Sequence, residues 1–515
     1  MSGLIGALSL PPYSICAVFL LPMMMAILRL DHCETLKEAA WSGWWLGFGY
    51  FLMGLWWIGT AFLVDDRFLW AMPLAIVGLP IILSFYFAAA FALSLFLWQS
   101  GIIRIFIFAL AISSFEVLRG QFFTGFPWNA MGMVLGSQLE FSQIASAIGV
   151  HGLTFLSCLL FALPVLFFTE KQKSMKFSGP LLCILGFFAL YFFGAYRLET
   201  AQHETVPNTR IRLMQPAIAQ DEKFDRSNAS QILSTYLSLS TRGSYPSAEG
   251  MQGVTHLIWP ETAFPFLLEQ SLRAREEISR ILPKGAVLLT GAVRAEDRYD
   301  HPERFYFNSI QMLDDAGAIT ASVDKVHLVP FGEYLPFEHM IDFFNVRDFI
   351  VAPGGFAAAQ KRSALAVPSW PLTLPLICYE VIFPEEISLS DGQRPGVLLN
   401  VTNDAWFGMT PGPYQHYAQA RLRAIEQGVP LIRSANNGIS AIIDPYGREI
   451  ARIQLGERGT VDGDLPKALP STLYATLSEG PILSLWLFIG LIGILFTLGQ
   501  LTPRRVTSIS ATSDR

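Results

Sequence analysis

The chain has 515 residues, of which 52% are hydrophobic and only 15% carry a charge. Soluble domains usually contain about 25% charged residues, so this deficit indicates that lipid forms part of the protein's solvent. The formal net charge of −6 is small for this length and no long basic run occurs, which argues against a nucleic-acid partner.

Apolar runs of spanning length lie on both sides of a long polar stretch. A helix that crosses a bilayer needs about 17–25 residues. We predict such helices near 13–30, 43–64, 71–97, 102–118, 141–168, 178–196 and 481–501. The first and fourth are the shortest. Residues 1–11 are apolar but too short to span, so either the start is unusual or a first helix is partial. They also lack the basic region of a cleavable signal peptide.

The basic residues beside these helices predict an orientation. If successive helices cross the membrane in alternating directions, all of these basic residues lie on one side of it. They are Arg29, Lys37, Lys171, Lys173, Lys176, Arg504 and Arg505. Because Lys and Arg collect in cytoplasmic loops, that side is predicted to be the cytoplasm. We therefore expect N-terminal membrane helices over 1–204, an extracytoplasmic domain over 205–470, and a C-terminal helix with a short tail over 471–515.

The stretch 205–470 has the pattern of an α/β domain. Apolar, β-prone runs occur at 209–214, 255–259, 286–290, 373–378, 396–402, 430–434 and 440–444. Apolar residues return every three or four positions from 415 to 427, which predicts a helix, and Gly428 to Pro430 ends it. The turn sequence from Asp444 to Gly447 joins two strands, as in a hairpin.

One cysteine stands out among the five in the chain. Cys378 is the only one in the polar stretch; Cys16, Cys158 and Cys183 lie in apolar runs and Cys33 in a short loop. A strand-like run ends at Cys378, which suits a nucleophile that needs an open approach. The alternative is a buried structural cysteine. No CxxC pair or Cys/His cluster indicates a metal site.

Two further motifs end strand-like runs with charged residues. Glu261 ends the motif Ile258-Trp259-Pro260-Glu261. A carboxylate in a dry pocket accepts a thiol proton and returns it, so Glu261 is a candidate acid–base group. The alternative interpretation is that Glu261 is an exposed acid in a loop. Lys325 lies in a run from Asp324 to Glu333, and a fixed ammonium stabilises an oxyanion. Glu333 is a candidate to hold Lys325 in place. His327, in the same run, is interpreted as structural.

The residues Glu261, Lys325 and Cys378 follow one another in this order along the sequence. With this order the chain resembles the nitrilase, or carbon–nitrogen hydrolase, superfamily over about residues 209–465. Supporting blocks are Asn400 to Gly408 and Arg433 to Gly438. The resemblance implies an αββα sandwich with a Glu–Lys–Cys triad: Glu261 as base, Lys325 at the oxyanion and Cys378 as nucleophile.

The arrangement of membrane helices around this domain narrows the resemblance to the apolipoprotein N-acyltransferase family. The motifs that carry it are Glu116 to Gly120, Thr124 to Asn129, His327 to Glu333 and Asn403 to Gly408. The family usually has eight spans, and the first is largely absent here. The resemblance implies supporting or substrate-binding roles for Glu333, Tyr379, Glu380, Trp406 and Asn308.

The family resemblance also implies the reaction. A phospholipid would donate an acyl chain through a Cys378 thioester to the α-amine of a diacylated apolipoprotein, in the bacterial inner membrane, with the catalytic domain on the periplasmic side. No metal or other cofactor is expected. Apolar segments at 264–268 and 343–346 are either lids that dip toward lipid or ordinary packing. Two alternatives are a membrane-tethered amidase or nitrilase acting on a small substrate, and a non-catalytic receptor or transporter.

Overall fold

Helices make up most of the first 200 residues. The computed structural model describes residues 1–223, 226–242, 250–297, 304–334 and 355–477. The helices of the N-terminal region are α1 (Ser2–Gly6), α2 (Leu20–Asp31), α3 (Leu36–Leu55), α4 (Leu79–Phe96), α5 (Ile102–Gln121), α6 (Met133–Gly136), α7 (Leu139–Ser142), α8 (Ala145–Ala162), α9 (Leu166–Thr169) and α10 (Lys173–Glu199). Short 3-10 and π-helical segments connect α3 to α4.

Some helical segments are long and apolar enough to cross a membrane. In the described part of the chain they are Leu36–Leu63, Asp66–Phe96, Ala145–Thr169 and Lys173–Glu199. They overlap the second, third, fifth and sixth predicted spans. The N-terminal region is therefore a multi-pass helical membrane bundle, as predicted.

The other predicted spans have different outcomes. The run at 13–30 contains a helix of only 12 residues, which is shorter than the roughly 17 residues that a span needs. The run at 102–118 is a continuous helix of 20 residues, but buried charged side chains interrupt its apolar character. The predicted C-terminal span at 481–501 lies outside the described residues.

Two of those buried charges, Glu116 and Arg119 on α5, order the loop that follows. Their side chains form an ion pair of 2.9 Å and are 3% and 1% exposed. Arg119 donates to the carbonyl of Trp128 at 2.8 Å, and Glu116 accepts from the backbone N–H of Met131 at 2.9 Å. Because buried charges are stable only when paired and hydrogen-bonded, this pair holds the 124–129 motif in one conformation.

The C-terminal half contains two mixed β-sheets. The first has the strand order β11-β1-β2-β3-β4-β5 and the second β10-β9-β8-β7-β6. The strands are β1 (Thr205–Gln215), β2 (His256–Trp259), β3 (Val287–Glu296), β4 (Phe305–Leu313), β5 (Ile319–Asp324), β6 (Thr373–Ile377), β7 (Val397–Thr402), β8 (Leu431–Ala435), β9 (Ser440–Ile443), β10 (Glu449–Ile453) and β11 (Gly459–Pro466). Strands β1 to β3 are parallel, as are β6 to β8.

The two sheets pack face to face with helices outside them. One buried apolar cluster joins residues of both sheets, such as Ile258 and Leu289 from the first and Leu399 and Ile432 from the second. Helices α11 (Gln220–Lys223), α12 (Ala229–Ser240), α13 (Leu272–Ser279), α14 (Pro411–Gln427) and α15 (Leu473–Leu477) complete this half in the described residues. The apolar face of α12 and α13 packs on the first sheet. This αββα sandwich is the predicted nitrilase fold.

Helix α14 lies between the second sheet and the membrane helices. Its residues Leu422 and Ile425 share one apolar core with Leu398 of β7 and with Leu135 and Val150 of the helical region. The helix ends where predicted, because Gly428 adopts a left-handed conformation with φ of 64°. The helix that carries part of the candidate site therefore rests directly on the membrane bundle.

The strands predicted from apolar runs are all present, and the structure adds β4, β5, β10 and β11. The predicted hairpin is also confirmed, because β9 and β10 pair antiparallel across the turn at 444–447. Of the added strands, β5 and β10 are partly exposed edge strands. An edge strand exposed to water lacks a long apolar run, so composition marks neither of them, and only the predicted hairpin turn indicated β10.

Candidate active site

The three candidate catalytic residues follow the ends of different strands. Glu261 comes two residues after β2, Lys325 directly after β5, and Cys378 directly after β6. Cys378 has a φ of +54°, which is uncommon for a residue with a side chain and occurs where a functional group must be held in a tight turn. The turn leads from β6 into a short 3-10 helix and places the thiol at the strand end.

Four buried polar side chains form one contact group. Lys325 Nζ lies 2.9 Å from Glu333 Oε1 and 3.9 Å from Glu261 Oε1. The amide of Asn308 donates to Glu261 Oε1 at 2.7 Å and to Glu333 Oε1 at 2.9 Å. Glu333 also accepts from the backbone N–H of Val329 at 2.7 Å. Asn308 therefore joins the two carboxylates that flank the lysine.

The charges in this group determine its protonation. Burial raises the pKa of Glu261, and the ammonium of Lys325 opposes that rise. Burial alone would lower the pKa of Lys325, but the carboxylates of Glu333 and Glu261 outweigh burial and raise that pKa. These interactions favour the ammonium form of Lys325, while Glu261 binds a proton more readily than an exposed glutamate does.

The surroundings of the Cys378 thiol favour its protonated form. Burial and the nearby Glu261 carboxylate raise the pKa of Cys378, and Lys325 opposes the rise. The hydroxyl of Thr402 donates to Sγ at 3.2 Å. The carboxylates of Glu261 and Asp404 both act on this thiol electrostatically.

A buried network supports the Cys378 turn from the side of the second sheet. His416 Nε2 lies 3.2 Å from the Cys378 carbonyl oxygen, and its Nδ1 lies 2.7 Å from Asp404 Oδ1. Arg433 donates to Asp404 Oδ2 at 2.8 Å, and the Thr402 hydroxyl oxygen lies 3.1 Å from Oδ1. The same hydroxyl that contacts the sulfur thus belongs to this ionic network. Sequence reasoning missed His416, although its place inside a predicted helix with mostly apolar neighbours was a signal.

That network continues into the membrane helices. Gln415, the neighbour of His416 on α14, accepts hydrogen bonds from the indoles of Trp57 and Trp128 at 3.1 and 3.0 Å. Trp57 follows α3, and Trp128 belongs to the loop after α5. The helical region therefore helps to hold the element that supports Cys378.

Glu380 is a structural link between two loops of the site. One oxygen accepts from the backbone N–H of Ile377 at 2.7 Å, and the other accepts from Val326 and His327 at 2.8 and 3.0 Å. Arg362 pairs with it at 3.0 Å. Because Glu380 is 1% exposed and fully engaged, it ties the Cys378 turn to the segment after Lys325.

Tyr379 and Trp406 lie between the site and the helical region. The Tyr379 hydroxyl donates to the carbonyl of Gly125 at 3.3 Å, and its ring packs edge-on against Phe383. The carbonyl of Trp406 accepts from the hydroxyl of Thr60 at 3.2 Å. Both residues thus contact loops of the membrane region.

His327 is outside the contact group of Glu261 and Lys325. Its Nδ1 lies 2.5 Å from Glu386 Oε1, and its ring stacks on Phe383 with 4.0 Å between centroids. These contacts agree with the structural interpretation of this residue.

The predicted lid segments differ in outcome. Phe264 and Leu268 of the 264–268 segment are 1% and 0% exposed, and Phe264 packs against Trp259. Of the two predicted alternatives for this segment, these contacts favour ordinary packing inside the domain. The 343–346 segment lies outside the described residues.

Sequence reasoning missed a second buried lysine at the site. Lys223, the last residue of α11, is 0% exposed, and its Nζ donates to the backbone carbonyl of Glu261 at 2.8 Å. Its segment has no apolar run or repeat that marks it, so only the tertiary structure brings it to the site.

Two sequence families match: the apolipoprotein N-acyltransferase N-terminal domain over residues 2–163 and carbon-nitrogen hydrolase over residues 210–472. An apolipoprotein N-acyltransferase from Rhodopseudomonas palustris is 43% identical over 491 residues, covering 93% of this chain and 91% of the relative. One from Brucella melitensis is 43% identical over 478 residues, covering 90% and 88%.

Solved structures of the nitrilase superfamily also match. A mutant of the Nesterenkonia AN1 amidase is 19% identical with a TM-score of 0.38, and the match covers 56% of this chain and 100% of that chain.

Proposed function

The chain belongs to the apolipoprotein N-acyltransferase family, and from this membership we propose that it acylates the α-amine of the N-terminal diacylglyceryl-cysteine of apolipoproteins, with a membrane phospholipid as donor. The observation that carries the proposal is the buried contact group of Glu261, Lys325 and Glu333 beside Cys378, on a domain that rests on membrane helices. A thiol, an acid–base carboxylate and a fixed cation are the groups that acyl transfer requires.

The first half-reaction forms a thioester. Glu261 takes the Cys378 proton as the sulfur attacks the ester carbonyl of the phospholipid, and Lys325 stabilises the oxyanion. The ester C–O bond then breaks, and Glu261 returns the proton to the departing oxygen. The products are the acylated cysteine and a lysophospholipid.

The second half-reaction forms the amide. The amine of the diacylglyceryl-cysteine attacks the thioester carbonyl, and Lys325 again faces the oxyanion. Glu261 takes a proton from the amine, the C–S bond breaks, and the proton returns to the thiolate of Cys378. Water must be excluded between the two steps, because otherwise the thioester would be hydrolysed.

The proposal includes a location. Both substrates keep their acyl chains in lipid, so the site has to lie next to the bilayer, and the contacts of Tyr379 and Trp406 with loops of the helical region support that position. We propose a bacterial inner-membrane protein with helices over 1–204, a catalytic domain over 205–470 on the periplasmic side, and a C-terminal helix with a cytoplasmic tail over 471–515.

The orientation gives a testable prediction. A membrane-impermeant thiol reagent is expected to label a cysteine placed at Lys284, an exposed position of the catalytic domain, in intact spheroplasts. The matched control is a cysteine placed at Lys171, an exposed position between the fifth and sixth predicted spans, which should be labelled only after the membrane is opened. The reverse pattern of labelling would show that the orientation is wrong.

The activity is tested with the purified full-length protein. Incubation with phospholipid vesicles and a synthetic diacylated lipopeptide is expected to give a lipopeptide one acyl group heavier and an equal amount of lysophospholipid, measured by mass spectrometry. The rival function, a membrane-tethered amidase acting on small substrates, predicts hydrolysis of short amides and no change in lipopeptide mass. That second result would overturn the proposal.

A further inference from the structure

A buried lysine outside the Glu–Lys–Cys triad lies against the proposed base. Lys223 is completely buried, and its ammonium donates to the carbonyl oxygen of Glu261 at 2.8 Å. A buried ammonium is costly unless opposite charge lies nearby, and a purely structural donor to a carbonyl does not need a charge. The proposed mechanism gives this cation no role.

The opposite charges near Lys223 are those of the reacting groups. Burial lowers the pKa of Lys223 to about 8, while Glu261 and Cys378 act in the other direction. Lys223 in turn is one of the groups that lower the pKa of Glu261, against the rise that burial causes. The lysine, the proposed base and the proposed nucleophile therefore interact electrostatically.

The site contains a negative charge that Lys325 does not balance, and Lys223 is the second cation near it. The ammonium of Lys325 lies 2.8 Å from one Glu333 oxygen and 2.9 Å from the other, so that ion pair is already neutral. The carboxylate of Glu261 is then the remaining negative charge, and that charge moves to the sulfur when Cys378 gives its proton to Glu261. Lys223 supplies the positive charge that balances it.

Hydrogen bonds fix the short helix that carries Lys223. The side-chain oxygen of Gln220 accepts from Asn403 at 2.7 Å, and Asn403 in turn accepts from Asn436 at 2.9 Å. Asn436 also donates to the carbonyl of Ile218 at 2.9 Å. These hydrogen bonds connect α11, and the residue Ile218 just before it, to loops of the second sheet. They therefore fix the position of the Lys223 ammonium.

We propose that Lys223 is a positioning residue of the acyl-transfer site, whose charge stabilises the Cys378 thiolate while its hydrogen bond holds the backbone of Glu261. This inference rests on the proposed function, because it takes Cys378 as the nucleophile and Glu261 as the base.

The test separates charge from hydrogen bonding. Lys223→Gln keeps a donor and removes the charge, Lys223→Met removes both, and Lys223→Arg keeps the charge. Each full-length protein is treated with iodoacetamide at pH 7, and the alkylation rate of Cys378 is measured by peptide mass spectrometry. A neighbouring opposite charge typically shifts a pKa by one unit or more, roughly tenfold in thiolate fraction. Both neutral variants are therefore expected to react about tenfold more slowly, and the arginine variant faster than either.

The control is Lys284→Met, which removes an exposed charge of the same domain and should leave the rate unchanged. A wild-type rate in Lys223→Gln overturns the inference, because only the hydrogen bond would then matter. If Lys223→Met or Lys223→Arg fails to fold, the glutamine variant alone decides. Failure of the proposed function is distinguishable, since it would appear as an unchanged lipopeptide mass after incubation with the wild-type protein, whatever the alkylation rates.

Discussion

Replacing Cys378 with alanine is expected to abolish acyl transfer and the acylated enzyme together. Cys378 is the proposed nucleophile, and loss of a covalent nucleophile typically costs about 10⁶-fold in rate. After incubation with phospholipid, the wild-type protein should gain the mass of one acyl group on the peptide that contains Cys378. The alanine variant should gain none, and it should form no acylated lipopeptide.

The control for this experiment must separate lost chemistry from lost structure. Cys378→Ser keeps a side chain that can accept the hydrogen bond that Thr402 donates at 3.2 Å, so it should remain folded and still lack the acyl adduct. Cys33→Ala, in the loop between α2 and α3, should acylate normally. Acyl transfer at the wild-type rate by Cys378→Ala would exclude a thioester at this residue.

Replacing Lys325 with methionine is expected to slow acylation of Cys378 by about 10²–10³-fold, the usual cost of a lost oxyanion donor. The loss could be larger, because the same charge opposes the raised pKa of Cys378. Lys325→Arg keeps a charge but has a larger, planar head. Since Lys325 is buried and paired with Glu333, this head would have to displace packed neighbours, and little rescue is expected. The measurement is single-turnover acylation, with phospholipid binding measured in parallel.

A structural explanation of the same loss is tested separately. Breaking one side of a buried ion pair typically destabilises a protein by about 3–5 kcal/mol, and Lys325→Met leaves Glu333 without its cation. The double variant Lys325→Met/Glu333→Gln removes both charges and should recover thermal stability without recovering the rate. Recovery of the acylation rate in the double variant, or loss of phospholipid binding in Lys325→Met, would contradict the oxyanion role. Lys467→Met, at an exposed ion pair with Glu204, is the control.

Residues that contact Cys378 without being proposed to react must be considered when substitutions near this site are interpreted. His416 and Thr402 contact the carbonyl and the sulfur of Cys378, and both also contact Asp404. A substitution in this network would move the nucleophile without removing a reacting group. Reduced activity in such a variant therefore does not by itself assign a chemical role.

The central parts of the fold were predictable because local patterns determine them. Parallel strands such as β6 and β7 are buried on both faces and form continuous apolar runs, and α14 has helical periodicity and a terminating Gly428. The partly exposed edge strands β5 and β10 lack such runs. Their pairing with a neighbouring strand, rather than their own composition, determines that they are strands.

The candidate catalytic residues were predictable for a related reason. Glu261 and Cys378 each follow an apolar strand, and Lys325 belongs to a motif shared with a known family, so the sequence alone indicates where a reactive group meets the end of a strand. The sequence also indicates the membrane helices, because their length and apolarity are local properties.

The tertiary structure alone decided which other side chains reach those groups. Lys223 and His416 approach the site from segments that lie 155 residues before and 38 residues after Cys378 in the sequence, and no local pattern marks Lys223 or reveals the contacts of His416. Conversely, the segment 264–268 has the apolar composition of a lipid-facing segment, but its residue Phe264 is buried in the protein core. Burial, ion pairing and hydrogen bonding between distant segments depend on how the two sheets and the helices pack, and that packing is a property of the whole chain.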